Sequence, residues 1–130
     1  MKKVYLIDDD DIYVFLTKKT ILRVVEDVDV AVFGDGLQAI TQLREIAGRP
    51  DLLPDIIFLD LNMPVMDGWE FLKEYQEIYQ SFARKIELYI VSSSISPHEM
   101  ERSKNISVVT EFIIKPMAKE KVLEVLSQLN

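Results

Sequence analysis

Two adjacent carboxylates (Asp8 and Asp9), a single carboxylate (Asp60), a hydroxyl (Ser92) and an ammonium (Lys115) each stand directly after a short apolar run. Any one of them has an ordinary explanation. Acidic runs after strands commonly cap helices, serine clusters commonly form loops, and Lys-Pro commonly turns the chain. Their joint occurrence behind four apolar runs is harder to obtain by accident. Three carboxylates brought within a few ångströms repel by about 4 kcal/mol per pair at an effective dielectric of about 20. A hard divalent cation removes that repulsion, and an all-oxygen site suits Mg²⁺. Mg²⁺ keeps several waters and accepts a phosphate oxygen, so such a site receives a phosphoryl group. A carboxylate within it can attack phosphorus to give an acyl phosphate. The Lys115 ammonium and the Ser92 hydroxyl are then suited to bind the new phosphoryl oxygens.

For this chemistry the four runs must end on one edge. Asp60 closes Ile56-Ile57-Phe58-Leu59, an unbroken apolar run of the kind found in a parallel strand buried on both faces. Pro64 offers no ladder N–H, so the strand has stopped by there. Val4-Tyr5-Leu6-Ile7 and Leu88-Tyr89-Ile90-Val91 read the same way. Val28, Val30 and Val32 alternate with Asp29 and Ala31, as a strand does, and Gly34-Asp35-Gly36 ends it. Val108-Val109 and Phe112-Ile113-Ile114 frame a fifth strand that runs into Lys115-Pro116. In open α/β sheets the ligand crevice lies beyond the carboxyl ends of the strands.

Helices fill the intervals. Asp10 or Asp11 caps the first, whose stripe Ile12, Phe15, Leu16, Leu22 and Val25 is expected to face the core. Leu37, Ile40, Leu43, Ile46 and Ala47 mark the second, closed by Gly48 and Pro50. Asp67 and Glu70 have capping-box spacing ahead of Phe71, Leu72, Tyr75, Ile78 and Tyr79. Ser96-Pro97-His98-Glu99 predicts a second capping box, opening a helix with little apolar surface. Val122, Val125, Leu126 and Leu129 give the last amphipathic helix. Five strands alternating with five helices imply an α/β fold, a parallel sheet covered on both faces. A single domain over 1–130 with no output domain is expected.

The 130 residues include no cysteine, which excludes disulfides and thiolate metal sites. A net charge of -7 and a pI near 4.7 argue against direct nucleic-acid binding through phosphates. No apolar run reaches membrane-spanning length and no signal peptide opens the chain, so a cytoplasmic protein is expected. The four glycines form no phosphate-cradling motif. His98, the single histidine, stands at a polar helix start and is not expected to carry phosphate. Trp69 and the tyrosines of the third helix are expected to serve packing.

With these residues in place the chain resembles the receiver domain of two-component response regulators over essentially its whole length. Asp8 and Asp9 match that family's acidic pair. Asp60, within Phe58-Leu59-Asp60-Leu61-Asn62-Met63-Pro64-Val65-Met66-Asp67-Gly68, matches its phosphoacceptor and following loop. Ser92 matches the switch hydroxyl, Phe112 the switch aromatic, and Lys115-Pro116 the lysine and its following peptide. The resemblance implies a flavodoxin-like (βα)5 doubly wound sheet of strand order 2-1-3-4-5. It further implies Mg²⁺ at Asp9, Asp60 and the backbone carbonyl of Asn62, with Asp8 reaching the ion mainly through water. Serine and phenylalanine stand at switch positions where many relatives have threonine and tyrosine, and Phe112 lacks a hydroxyl.

A stand-alone receiver similar to the chemotaxis protein or to phosphorelay shuttles is therefore implied. Its phosphoryl donor would be a histidine kinase or histidine phosphotransfer protein. A downstream protein would read the face of the fourth helix, fifth strand and fifth helix, on a monomer or weak dimer. Catalysis would extend only to its own phosphorylation and dephosphorylation. The alternatives are a Mg²⁺-dependent phosphatase of haloacid dehalogenase type and a binding scaffold without phosphorylation. The phosphatase requires a general acid two residues after its nucleophile, where this chain has Asn62, which cannot deliver a proton.

Overall fold

A computed structural model describes residues 1–129; Asn130, the last position of the expected domain, lies outside the described residues. The strands are β1 (Lys2–Ile7), β2 (Val28–Phe33), β3 (Ile56–Leu59), β4 (Glu87–Ser92) and β5 (Val109–Ile114). The helices are α1 (Asp11–Val24), α2 (Gly36–Ile46), α3 (Gly68–Ile78), α4 (Pro97–Lys104) and α5 (Lys119–Ser127). The strands form one sheet of order β2-β1-β3-β4-β5, every pairing parallel. This is the expected flavodoxin-like order.

Alternation along the central strands divides the interior in two. Tyr5, Ile7, Ile57, Leu59, Leu88 and Ile90 pack with Ile40, Leu43, Phe71 and Leu72 of α2 and α3. Val4, Leu6, Ile56, Phe58, Tyr89 and Val91 pack with Ile21 of α1 and Val122, Val125 and Leu126 of α5. Both faces of β3 are thus covered, which is why its sequence shows no polar alternation.

The expected core stripe of α1 does not hold. Ile12, Phe15, Leu16 and Leu22 are 74%, 64%, 56% and 51% exposed, while Val14, Thr17 and Ile21 are buried. Both strips repeat at helical spacing, so periodicity cannot choose between them. The buried one consists of β-branched residues, with Ile21 fully enclosed against the sheet and α5. Phe15 and Leu16 stand outward. Leu37 of α2 and Tyr79, in a 3-10 turn after α3, are likewise exposed members of expected core stripes.

Capping explains the helix starts. Asp10 caps α1 through the Tyr13 amide, and Asp67 and Glu70 close a reciprocal capping box on α3. The second expected box forms only in half. Ser96 accepts from the Glu99 amide, but the Ser96 amide donates to Ser94 Oγ. Glu99 is left free to accept from the Trp69 indole instead.

At the opposite edge of the sheet from the carboxylates, Arg84 holds the α2–β3 connection. Its guanidinium donates to the Pro50 carbonyl (3.0 Å), the Leu53 carbonyl (2.6 Å) and Asp55 Oδ1 (2.7 Å). Partial burial works to raise the Asp55 pKa, but the Arg84 bond and the Lys3 amide outweigh it and hold it low. Arg84→Ala is expected to cost about 2 kcal/mol at neutral pH by urea denaturation. A depressed carboxylate stabilises the fold above its unfolded pKa of about 3.9 and loses this as pH falls. The difference between wild type and variant should therefore narrow in acid.

Candidate functional site

Register brings the carboxylates together. Ile7 of β1 lies opposite Leu59 of β3, so Asp8 and Asp60 are the first residues beyond two neighbouring strand ends. The Asp60 amide donates to the Ile7 carbonyl (2.8 Å) and the Asp8 amide to the Phe33 carbonyl (2.9 Å). Both side chains are buried and Asp9 is exposed. One oxygen from each of Asp8, Asp9 and Asp60 lies within 4.8 Å of the others. Lys115, just past β5, places Nζ 2.8 Å from Asp8 Oδ2 and 3.5 Å from Asp60 Oδ1. Its amide donates to the Ser92 carbonyl (2.8 Å), which fixes the end of β4 to the lysine. The Ser92 hydroxyl is fully buried and accepts from the Ser94 amide.

Three carboxylates face one ammonium here, and two of the carboxylates are out of water. Burial, and then the charge of Asp8, push Asp60 up to about 6, against the opposing pull of Lys115. Burial disfavours the Lys115 ammonium, yet its bond to Asp8 and the charges of Asp8 and Asp60 raise its pKa. The remaining excess of negative charge on hard oxygen donors fits a divalent cation. Tyr13, in the first turn of α1, lies under the lysine with its ring centroid 4.3 Å from Nζ.

The loop after Asp60 is tightly built. Gly68, the first residue of α3, comes so close to β3 that an added Cβ would lie 2.5 Å from the Asp60 carbonyl oxygen and 2.8 Å from Leu61 Cα. No other residue type fits there without moving the backbone beside Asp60. Asn62 is exposed, and its side chain is an amide, which supplies no acid. Val65 has φ 67°, an uncommon region for a β-branched residue, and the Met66 amide donates back to the Pro64 carbonyl at 2.7 Å.

Phe112 lies away from the carboxylates on β5, half-buried. With Met100, Ser103 and Ile114 it lines a groove of about 370 Å³ between α4 and β5. Ser103 is the one buried residue of α4. The helix is tied instead by polar groups: Arg102 stacks over Trp69 at 4.1 Å, and the Trp69 indole donates to Glu99 at 3.4 Å. Sequence reasoning missed both Tyr13 and this role of Trp69. Pairing a charge with a ring across elements leaves no periodic signal.

Residues 4–127 match the family described as the response regulator receiver domain. A two-component response regulator from Cytophaga hutchinsonii is 29% identical and superposes with a TM-score of 0.84, covering 99% of this chain and 96% of that one. The phosphorylated cyanobacterial phytochrome response regulator RcpA is 26% identical with a TM-score of 0.76, covering 98% and 89%. A protein-glutamate methylesterase/protein-glutamine glutaminase of Methanospirillum hungatei is 28% identical over 96% of this chain. That match spans 34% of the relative's length, so its esterase and glutaminase activities do not transfer. Proteins of this family act between histidine kinases and downstream targets, and no helix among the described residues is long and apolar enough to cross a membrane. The chain belongs to the response regulator receiver domain family.

Proposed function

We propose that Asp60 accepts a phosphoryl group from a phosphohistidine of a histidine kinase or histidine phosphotransfer protein, and that the acyl phosphate alters the surface of α4, β5 and α5. The observation that carries this is the convergence of buried Asp60, buried Asp8 and Lys115, with Asp9 at the mouth. An ionised Asp60 oxygen attacks phosphorus. The O–P bond forms as the P–N bond to the donor imidazole breaks, and the departing nitrogen takes a proton from water. Lys115, already 3.5 Å from Asp60 Oδ1, balances the charge gathering on the phosphoryl oxygens. Asp8, Asp9, Asp60 and the Asn62 backbone carbonyl would hold Mg²⁺, which when bound supplies positive charge to the carboxylates and the phosphoryl group. The donor protein has an apolar surface to meet at the same edge, made by exposed Ile12, Phe15 and Leu16 of α1. A haloacid-dehalogenase-type phosphatase is not favoured, because Asn62 offers no general acid.

Output follows from Ser92. A phosphoryl group on Asp60 offers its hydroxyl a charge-assisted hydrogen bond. Drawing Ser92 inward opens space behind it for Phe112 and shifts the start of α4, whose ties are few. Ser92→Ala is expected to take phosphate from acetyl phosphate and Mg²⁺ yet lose the conformational response. Amide exchange over 92–115, compared between beryllofluoride-treated and untreated protein, reads that response. Equal protection in both states of wild type, or a wild-type response in Ser92→Ala, would place the switch elsewhere.

A further inference from the structure

The Lys115 side chain is confined on two sides. Asp8 and Asp60 hold its ammonium from the sheet edge, and the Tyr13 ring lies 4.3 Å from Nζ. A cation over an aromatic face is attracted by the ring quadrupole, most strongly where water is excluded. The ring itself is well fixed. The Tyr13 amide is bound to the Asp10 cap at 3.0 Å, and the side chain packs partly buried against the α1–α5 side of the core. Its hydroxyl is buried without a well-formed hydrogen bond among the described residues; Thr17 lies beside it, and Lys115, Asp8 and Asp60 act on it through their charges. The ring face, 4.3 Å from the ammonium, gives the stronger reason for an aromatic residue at this position.

We infer that Tyr13 is a positioning residue that holds the Lys115 ammonium against Asp8 and Asp60 and so sets the rate at which Asp60 gains a phosphoryl group. The inference rests on the phosphoacceptor reading of Asp60. Without the ring, the long lysine side chain keeps Asp8 as partner but regains freedom to swing toward solvent on the α1 side. The ammonium would then meet the phosphoryl oxygens in a smaller share of encounters, and the rate would fall.

The test compares wild type, Tyr13→Phe and Tyr13→Leu, the last keeping an apolar side chain and good helix propensity while removing the ring. Phosphorylation by acetyl phosphate and Mg²⁺ is followed by intact mass. Tyr13→Leu should be slower by about fivefold to tenfold, in line with a single cation–π contact, and Tyr13→Phe should restore the rate. A second readout needs no phosphate. The Lys115 side-chain methylene protons should carry an upfield ring-current shift in wild type and Tyr13→Phe that is absent in Tyr13→Leu. Unchanged rates in Tyr13→Leu would overturn the inference. So would a loss in Tyr13→Phe as large as in Tyr13→Leu, which would assign the role to the hydroxyl. If wild type itself takes no phosphate, the Asp60 reading falls, and the ring-current shift still decides whether Tyr13 holds Lys115.

Discussion

Lys115→Met is expected to destabilise the metal-free protein by about 3 kcal/mol near neutral pH, the usual cost of removing one partner from a buried ion pair. The lysine is the cation that reaches both Asp8 and Asp60, two side chains almost without solvent contact. Methionine preserves most of the apolar stem but leaves the two carboxylates facing each other. Much of the loss should be recovered with millimolar Mg²⁺, because a bound cation replaces the missing charge, and part should be recovered in mild acid as Asp60 protonates. Urea denaturation at neutral and acidic pH, with and without Mg²⁺, separates these effects. A variant as stable as wild type without metal would show that the pairs contribute nothing to the fold. The same substitution should also slow phosphorylation of Asp60 severely.

Asp60→Asn should act in the opposite direction on stability. The folded carboxyl has a pKa of about 6, against about 3.9 when unfolded. Between these values the native state binds the extra proton, so this group makes stability fall as pH rises from about 4 to about 6 and stay low above that. Asparagine removes the titration, keeps an oxygen for the Leu61 amide that Asp60 Oδ1 now accepts, and leaves Lys115 its closer partner, Asp8. The metal-free variant should be more stable than wild type by about 1–3 kcal/mol above pH 6, with little difference near pH 4. Wild type should in turn gain about 1.4 kcal/mol when Mg²⁺ is at roughly tenfold its dissociation constant, and the variant far less. Thermal melts across this pH range check the sign. A wild-type stability that rises between pH 4 and pH 6 in step with the variant's would remove Asp60 from the pH dependence.

These expectations draw on features that differ in how visible they are in the chain. The strands were legible, because four nearly unbroken apolar runs ending in Asp8, Asp60, Ser92 and Lys115 call for a parallel sheet, while their order came only with the resemblance to the receiver family. The meeting of Asp8, Asp60 and Lys115 followed from that order. The rotation of α1 was not legible: Ile12, Phe15 and Leu16 and the buried Val14, Thr17 and Ile21 are both regular strips, and only packing against the sheet and α5 separates them. The half-formed cap at Ser96 depended on Ser94 and Trp69 competing for its two groups. Tyr13 beneath Lys115 joins residues 102 positions apart through a contact that no local pattern encodes.

The central claim, that Asp60 is the residue which takes the phosphoryl group, is tested most directly by locating the modification. Protein treated with acetyl phosphate and Mg²⁺ can be reduced with borohydride, which converts an aspartyl phosphate to homoserine, and digested for peptide mass mapping. The account predicts homoserine at position 60, one phosphoryl group per chain before reduction, and no incorporation in Asp60→Asn. Homoserine at Asp8 or Asp9 instead, or an undiminished adduct in Asp60→Asn, would contradict it.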